Sequence, residues 1–123
     1  MPCRAVGEDE PHDPRSQKVA ILTMHASKGR EFSVVMVAGV EKGLLPLDIE
    51  GFQTDPQEEK RLLYVAITRA RHLAVLTFRA RRVLFGKSRP GGPSVFLNGV
   101  PEDAVVRVKV SAPKRKARQL TLF

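Results

Sequence analysis

Three short runs of almost unbroken apolar residues, K-V-A-I-L-T at 18–23, S-V-V-M-V-A at 33–38 and L-A-V-L-T-F at 73–78, constrain this chain more than anything else in it. Bounded by polar or glycine positions, such runs are expected of strands covered on both faces in a parallel sheet; an alternating pattern would mark a sheet with one wet face. Between the second and third runs the chain carries the start signals of a helix. Asp55 can cap, Pro56 fits the first helical position, where its missing N–H costs nothing, and Glu58 stands where a capping box places its carboxylate. The apolar stripe Leu62, Leu63, Ala66, Ile67 and Ala70 carries this helix to about Arg71, with Lys60, Tyr64, Thr68 and Arg71 turned away. At about 100° per residue, Arg69 falls on the border of the buried face, able to reach sideways into a cleft. Strand, loop, strand, helix, strand predicts an open α/β layer.

The flanks divide the chain further. Residues 1–17, rich in Pro, Asp, Glu and Arg without apolar periodicity, read as a linker or truncated boundary segment; residues 18–101 hold the folded part, and 102–123 form a basic flexible tail. Gly39 to Thr54, with Gly43, Pro46 and Gly51, is expected to be irregular. Arg79 to Phe85 reads as a short helix, Gly86 to Pro93 as a turn region, and Pro93 to Leu97 as a short apolar segment that docks on the core. Val106 to Val110 alternates apolar and basic residues as an edge strand does, but runs on into Pro113 and Lys114-Arg115-Lys116.

Composition narrows the function classes. A chain of 123 residues with 42% hydrophobic content has room for one small domain. Cys3 is the only cysteine, which excludes an internal disulfide framework and a thiolate zinc site, and His12, His25 and His72 are too scattered to hold a metal. No signal-peptide core and no membrane-length apolar run is present, so the chain reads as soluble and cytoplasmic, without a membrane partner. The net charge of +8 is unevenly spread: residues 1–59 hold 6 Lys and Arg against 11 Asp and Glu, residues 60–123 hold 15 against 2. The basic half is the candidate polyanion surface. Gly86-Lys87-Ser88 imitates the end of a phosphate-binding P-loop, yet that motif needs a glycine at position 81, which is Arg81.

Two longer blocks carry chemistry. T-M-H-A-S-K-G-R-E at 23–31 brings a histidine, a lysine and glycine-freed backbone amides to one loop, and E-E-K-R-L-L-Y-V-A-I-T-R-A at 58–70 sets an arginine on the flank of the helix. Both suit phosphate. Together with Phe32, Val34-Val35, Gly43-Leu44-Leu45-Pro46, Leu84-Phe85-Gly86 and Pro93 to Leu97, these blocks resemble the last two conserved motifs, and the segment after them, of the UvrD, Rep and PcrA family of superfamily 1 DNA helicases. The likeness runs from about Val19 to Pro101. Helicase–nuclease subunits related to RecB and AddA share the two motifs, but the features at 84–86 and 93–94 favour the simpler helicases. Two positions depart from the family pattern: Arg30 stands where leucine is usual and Val95 where arginine is common.

The resemblance implies the carboxyl-terminal part of a second RecA-like motor lobe, an incomplete P-loop NTPase-type open parallel sheet with flanking helices, from an ATP-dependent 3′-to-5′ helicase of DNA repair or replication. ATP with Mg2+ would be bound mainly by a first RecA-like lobe that is missing here, so the chain alone is not expected to hydrolyse ATP. Arg69 matches the arginine that contacts the γ-phosphate; Gly29 and Glu31 match positions near the nucleotide and its ribose; Thr23, His25 and Lys28 match the loop that touches single-stranded DNA. The carboxyl-terminal Gln119-Leu120-Thr121-Leu122-Phe123 resembles the peptide by which bacterial replication and repair proteins bind the sliding clamp, with Gln119 giving directional hydrogen bonds and Leu120, Leu122 and Phe123 apolar contacts. The competing reading is a non-enzymatic module that binds DNA through its basic half and a clamp through its tail.

Overall fold

The protein's structure is a computed structural model that describes residues 3–5, 15 and 17–111. The clamp-like residues Gln119, Leu120, Leu122 and Phe123 lie outside the described residues, as does the basic run at 114–116. The architecture is mixed α/β. Strands β1 (Cys3–Ala5) and β2 (Val19–Ile21) pair in parallel, β3 (Phe32–Val37) is followed by the helix α1 (Pro56–Thr68), and β4 (Ala70–Leu76) returns parallel to β3. An antiparallel hairpin of β5 (Arg81–Leu84) and β6 (Lys87–Pro90) comes next, then 3-10 turns at Val95–Leu97 and Glu102–Ala104.

Several elements differ from the sequence expectation. Among the described residues the strands lie in three two-stranded sheets rather than one continuous parallel sheet. The stretch expected to be only a linker supplies β1, which needs no apolar pattern because a parallel ladder is held by backbone groups. The expected helix at Arg79–Phe85 is instead the first arm of the hairpin. Its burial alternates residue by residue, and Gly86 closes a two-residue turn, so local turn chemistry decides the outcome. Residues 105–110 form no strand, and Val106, Val108 and Val110 stand exposed.

The helix is built as its signals promise, with one change. Asp55 Oδ1 accepts the Gln57 amide at 3.0 Å and Pro56 opens the first turn, while Glu58 turns to Arg61 at 3.5 Å instead of completing a capping box. Glu59 takes up the neighbouring work: its carboxylate accepts the Leu47 amide at 3.1 Å and the Thr54 hydroxyl at 3.1 Å, tying the irregular 43–54 segment to the helix start. The helix stops at Thr68, three residues before the expected end. Ala70 is already paired with Phe32, so the sheet ladder captures the chain one residue after the last helical turn.

The core lies on one side of the β3–β4 pair. Leu63 and Ala66 of α1 are buried against Val37, Val40 and Leu45, with Met24, Val35, Ile67, Leu76, Phe96 and Leu97 packed around them. The segment at 93–97 therefore docks as expected, fixed by the Ser94 amide to Val40 O at 3.0 Å and by the Ser94 hydroxyl to Leu45 O. The opposite face of the pair is open, contrary to the two-sided covering the apolar runs suggest. Val34, Met36 and Leu73 share that face in register, and α1 cannot reach it because one helix covers only one side of a sheet.

Candidate functional site

The loop between β2 and β3 is shaped by its own side chains. Thr23 Oγ1 accepts the Ala26 amide at 3.1 Å, and the buried Ser27 donates its hydroxyl to Met24 O at 2.6 Å. These bonds, with the Lys28 amide on His25 O and the Arg30 amide on Ser27 O, wind His25–Ser27 into a single 3-10 turn. Thr23 is thus engaged in shaping the turn, whereas His25 and Lys28 are exposed on it. Gly29 has φ +76, and a Cβ built there would meet nothing within 4 Å. The left-handed backbone calls for glycine, and the open space around it admits close approach by a ligand.

Arg69 stands beside this loop. It is the single residue between α1 and β4, and its carbonyl accepts the Phe32 amide at 2.9 Å, which locks its backbone to the first rung of the β3–β4 ladder and next to Glu31. Its Nε donates to Val65 O at 3.2 Å and Nη2 to Thr68 Oγ1 at 3.4 Å. The first contact satisfies a carbonyl at the helix end with a cationic donor, a favourable match to the helix dipole. The side chain is half-buried, on the border the periodicity assigned to it, and among the described residues no carboxylate pairs with it. Among the described residues the charge is therefore positioned without a carboxylate partner.

Glu31 finds a different partner. Arg71 Nε donates to Glu31 Oε2 at 3.1 Å, with both side chains more than half exposed, at 59% and 58%. A pair this well solvated contributes at most about 1 kcal/mol and exchanges readily. The structure thus gathers Gly29, Glu31 and Arg69 at one end of the β3–β4 pair, with Thr23, His25 and Lys28 on the adjoining turn. Among the described residues no group of three or more His, Cys, Asp or Glu is placed to hold a metal ion, and no helix is long and apolar enough to cross a membrane.

Three features escaped the sequence reading. Ser27 is buried and shapes the loop from within. Phe85 sits at the tip of the β5–β6 hairpin with φ +50, followed by Gly86 at φ +74, and the residue is 79% exposed. Two positive φ values in succession make the tight turn that suits the twist of a hairpin. A left-handed phenylalanine costs about 1 kcal/mol, and here the residue is held out in solvent next to the exposed Lys87, with the exposed Arg81 at the base of the hairpin, opposite Pro90. Glu41 is the third: its side chain is 1% exposed, it accepts the Arg79 amide at 3.0 Å, and its carboxylate is gripped by Arg82 through Nε and, at 3.2 Å, Nη2. The Arg82 guanidinium holds this carboxyl below the ordinary carboxylate range against the opposing effect of burial. A lone glutamate in a glycine-flanked loop carries no pattern that would reveal this.

With this geometry in view, the comparisons with known proteins decide the family. The model of the UvrD-like helicase C-terminal domain matches residues 4–80. The chain belongs to that family. Its UvrD-like segment is 43% identical over 89 residues to the ATP-dependent DNA helicase PcrA of Staphylococcus epidermidis strain RP62A, covering 69% of this chain. Against the protein of the same name from Staphylococcus aureus strain MRSA252 it is 42% identical over 88 residues, covering 68% of the chain. In both cases the match spans 12% of the relative's own length. The matched range of the UvrD-like model contains the β2–β3 loop, Glu41, α1 and Arg69, and ends just before the hairpin.

Proposed function

We propose that this chain is the carboxyl-terminal motor segment of an ATP-dependent 3′-to-5′ DNA helicase, forming part of a RecA-like lobe whose sheet is completed by neighbouring protein. The observation that carries the reading is the 2.9 Å bond from the Phe32 amide to the Arg69 carbonyl, which joins the arginine to the loop bearing Gly29 and Glu31. Arg69 would act as an arginine finger. Its guanidinium, which pairs with no carboxylate among the described residues, can stabilise charge on the transferring phosphoryl group, and only when a facing lobe brings the nucleotide to it. Gly29 offers backbone and space at the nucleotide, and Glu31, released from the weak Arg71 pair, can accept ribose hydroxyl protons. Bound Mg2+–ATP supplies the phosphoryl group and its charge-neutralising cation.

Single-stranded DNA is the proposed second ligand. His25 and Lys28 sit exposed on the turn, suited to stacking and phosphate contact, with Thr23 acting chiefly through the shape of the turn. The hairpin offers an independent DNA surface, with Phe85 suited to stacking on a base, Lys87 to the adjacent phosphate and Arg81, at the base of the hairpin, to backbone farther along the strand. The clamp-binding proposal for residues 119–123 stands on sequence, and removing those five residues should abolish capture by an immobilised bacterial sliding clamp while DNA affinity stays unchanged.

The deciding experiment transplants residues 18–101 into the corresponding place of a staphylococcal PcrA and measures ATP turnover with and without oligo(dT). DNA-stimulated turnover in the chimaera supports the motor reading. A folded chimaera that binds DNA yet shows no stimulated turnover overturns it and leaves the non-enzymatic DNA-binding module, a reading the exposed aromatic on a basic hairpin also favours.

A further inference from the structure

The β5–β6 hairpin reaches into solvent, yet both of its ends are held by the same three residues of the loop after β3. We propose that Glu41 is a positioning residue that fixes the attitude of the hairpin, and with it the location of Phe85, so that the arm moves as one piece with the core.

Four observations carry this. The outgoing chain is held by Glu41 itself: the Arg79 amide and two nitrogens of the Arg82 guanidinium all donate to one carboxylate, a forked arrangement that restrains direction as well as distance. The returning chain is held by the backbone on either side of Glu41. The Lys42 amide donates to Gly92 O at 3.0 Å, Glu41 bridges to Pro93, and the Ser94 amide donates to Val40 O at 3.0 Å. Between these anchors the neck is tight, with the Gly91 amide on Ala80 O at 2.8 Å and the Gly92 amide on Arg79 O at 2.9 Å. A Cβ on Gly91 would lie 2.2 Å from Arg79 O, so the two chains cross there at backbone contact. Farther out the ties thin: Arg89 Nη1 reaches Asp48 O at 3.3 Å, while Val83 and Phe85 are exposed.

The chemistry explains why a charge stands where an apolar side chain would serve for stability. A buried ion pair returns little net stability against a well-packed hydrophobic substitute, because desolvation offsets the attraction. What it offers is direction. An apolar contact tolerates pivoting, whereas a carboxylate that must face a guanidinium fork and a backbone amide at once fixes the angle at which β5 leaves the core. Glu41 is buried at the base of the hairpin, so its influence on DNA would pass through the placement of Phe85.

The chain contains no tryptophan, so Phe85→Trp in the full chain gives a single reporter at the tip. Time-resolved anisotropy without DNA should show little fast local motion in this parent. Glu41→Gln, which keeps the size of the side chain but loses its charge, should enlarge the fast component. It should also raise the oligo(dT) concentration that half-quenches the indole at the tip by about three- to tenfold, since an arm that must be ordered on binding loses affinity. Should Glu41→Gln fail to fold by circular dichroism, Arg82→Met breaks the same contact from its solvent side and should give the same two changes, while Arg82→Lys should restore only part of the order. Folded variants with an unchanged anisotropy decay overturn the proposal. The DNA arm of the test rests on the reading of the hairpin as a DNA surface. If the parent is not quenched by oligo(dT), that reading fails, and the DNA-free anisotropy comparison still decides the role of Glu41.

Discussion

The two ends of this small domain handle charge in opposite ways. At the end that bears Gly29, Glu31 and Arg69, the contacts of Glu31 and Arg69 among the described residues are solvated or local: Glu31 meets Arg71 in an exposed pair, and Arg69 leans on its own helix end. At the neck of the hairpin a carboxylate is sealed in the interior with three donors fixed on it. The difference matches the task proposed for each end. Groups that receive a ligand from another body must be free to exchange partners, so weak, screened interactions suit them. An arm that presents one ring at a set place gains from a contact that is costly to break.

The contrast is broken most severely, if it is wrong, by Arg69→Ala. In the chimaera this substitution should lower DNA-stimulated ATP turnover by roughly 10³-fold, as expected for loss of an arginine finger, and Arg69→Lys should recover little because a point charge lacks the planar fork. Stability should fall by only about 0.5–1 kcal/mol, for the lost contact to the helix-end carbonyl. A large drop in melting temperature with turnover per folded molecule unchanged would make Arg69 a structural cap and remove the functional contrast.

Two glycines sharpen the contrast on the backbone. Gly91→Ala forces a Cβ against Arg79 O at the crossing of the neck, where neither chain can retreat without breaking its bonds to the loop at 40–42. We expect a loss of about 3 kcal/mol in denaturant unfolding. Gly29→Ala meets no neighbour and suffers only from its left-handed φ, so its cost should be about 1 kcal/mol. Equal costs at the two sites would mean that the neck is softer than its geometry indicates.

How much of this is legible in the sequence depends on which forces are local. The helix start at Asp55-Pro56, the buried stripe through Leu63 and Ala66 and the border position of Arg69 depend on spacing along one element, and all three are found in the structure. The docking of the segment at 93–97 is legible for the same reason. The hairpin is easily misread because R-R-V-L suits a helix or a strand until the turn at Phe85-Gly86 is weighed. Glu41 and Ser94 are invisible as structural partners, since their contacts lie 41 and 49 residues away and leave no periodic trace. The site residues are named through resemblance, and spacing alone would not join residue 31 to residue 69.

Removing the buried charge tests the neck next. Glu41→Ala leaves the Arg79 amide without its partner and Arg82 to solvent, and should cost about 2 kcal/mol. Its pH dependence has a definite sign. The folded carboxyl is held below its ordinary value near 4.5, mainly by the hydrogen bond from Arg82 and further by the Arg79 amide and the charges of both arginines, so the unfolded chain takes up the proton first as pH falls. The stabilisation is complete above that ordinary value and is lost as pH drops through the depressed folded one; Arg82, raised above its usual value, stays charged throughout. Urea unfolding of the parent and Glu41→Gln at stepped pH should therefore show a gap that is constant near neutrality and closes in acid below about 4.5. A gap that stays open in acid would detach the neck's rigidity from the ion pair.

The smallest effect is expected at the other end, and its smallness is what the contrast requires. A double-mutant cycle on Glu31→Ala and Arg71→Ala in the free chain should give a coupling of about 0.5 kcal/mol or less, reduced further by salt, as for exposed pairs generally. If Glu31 is to leave Arg71 for a ribose hydroxyl, the pair has to be this weak, because any energy stored in it is subtracted from nucleotide binding. Arg71→Ala should then leave nucleotide affinity in the chimaera unchanged or slightly improved, whereas Glu31→Ala should weaken it. A coupling well above about 1 kcal/mol, the upper end for solvated pairs, would turn the contact into a strut and make the two ends of the domain alike.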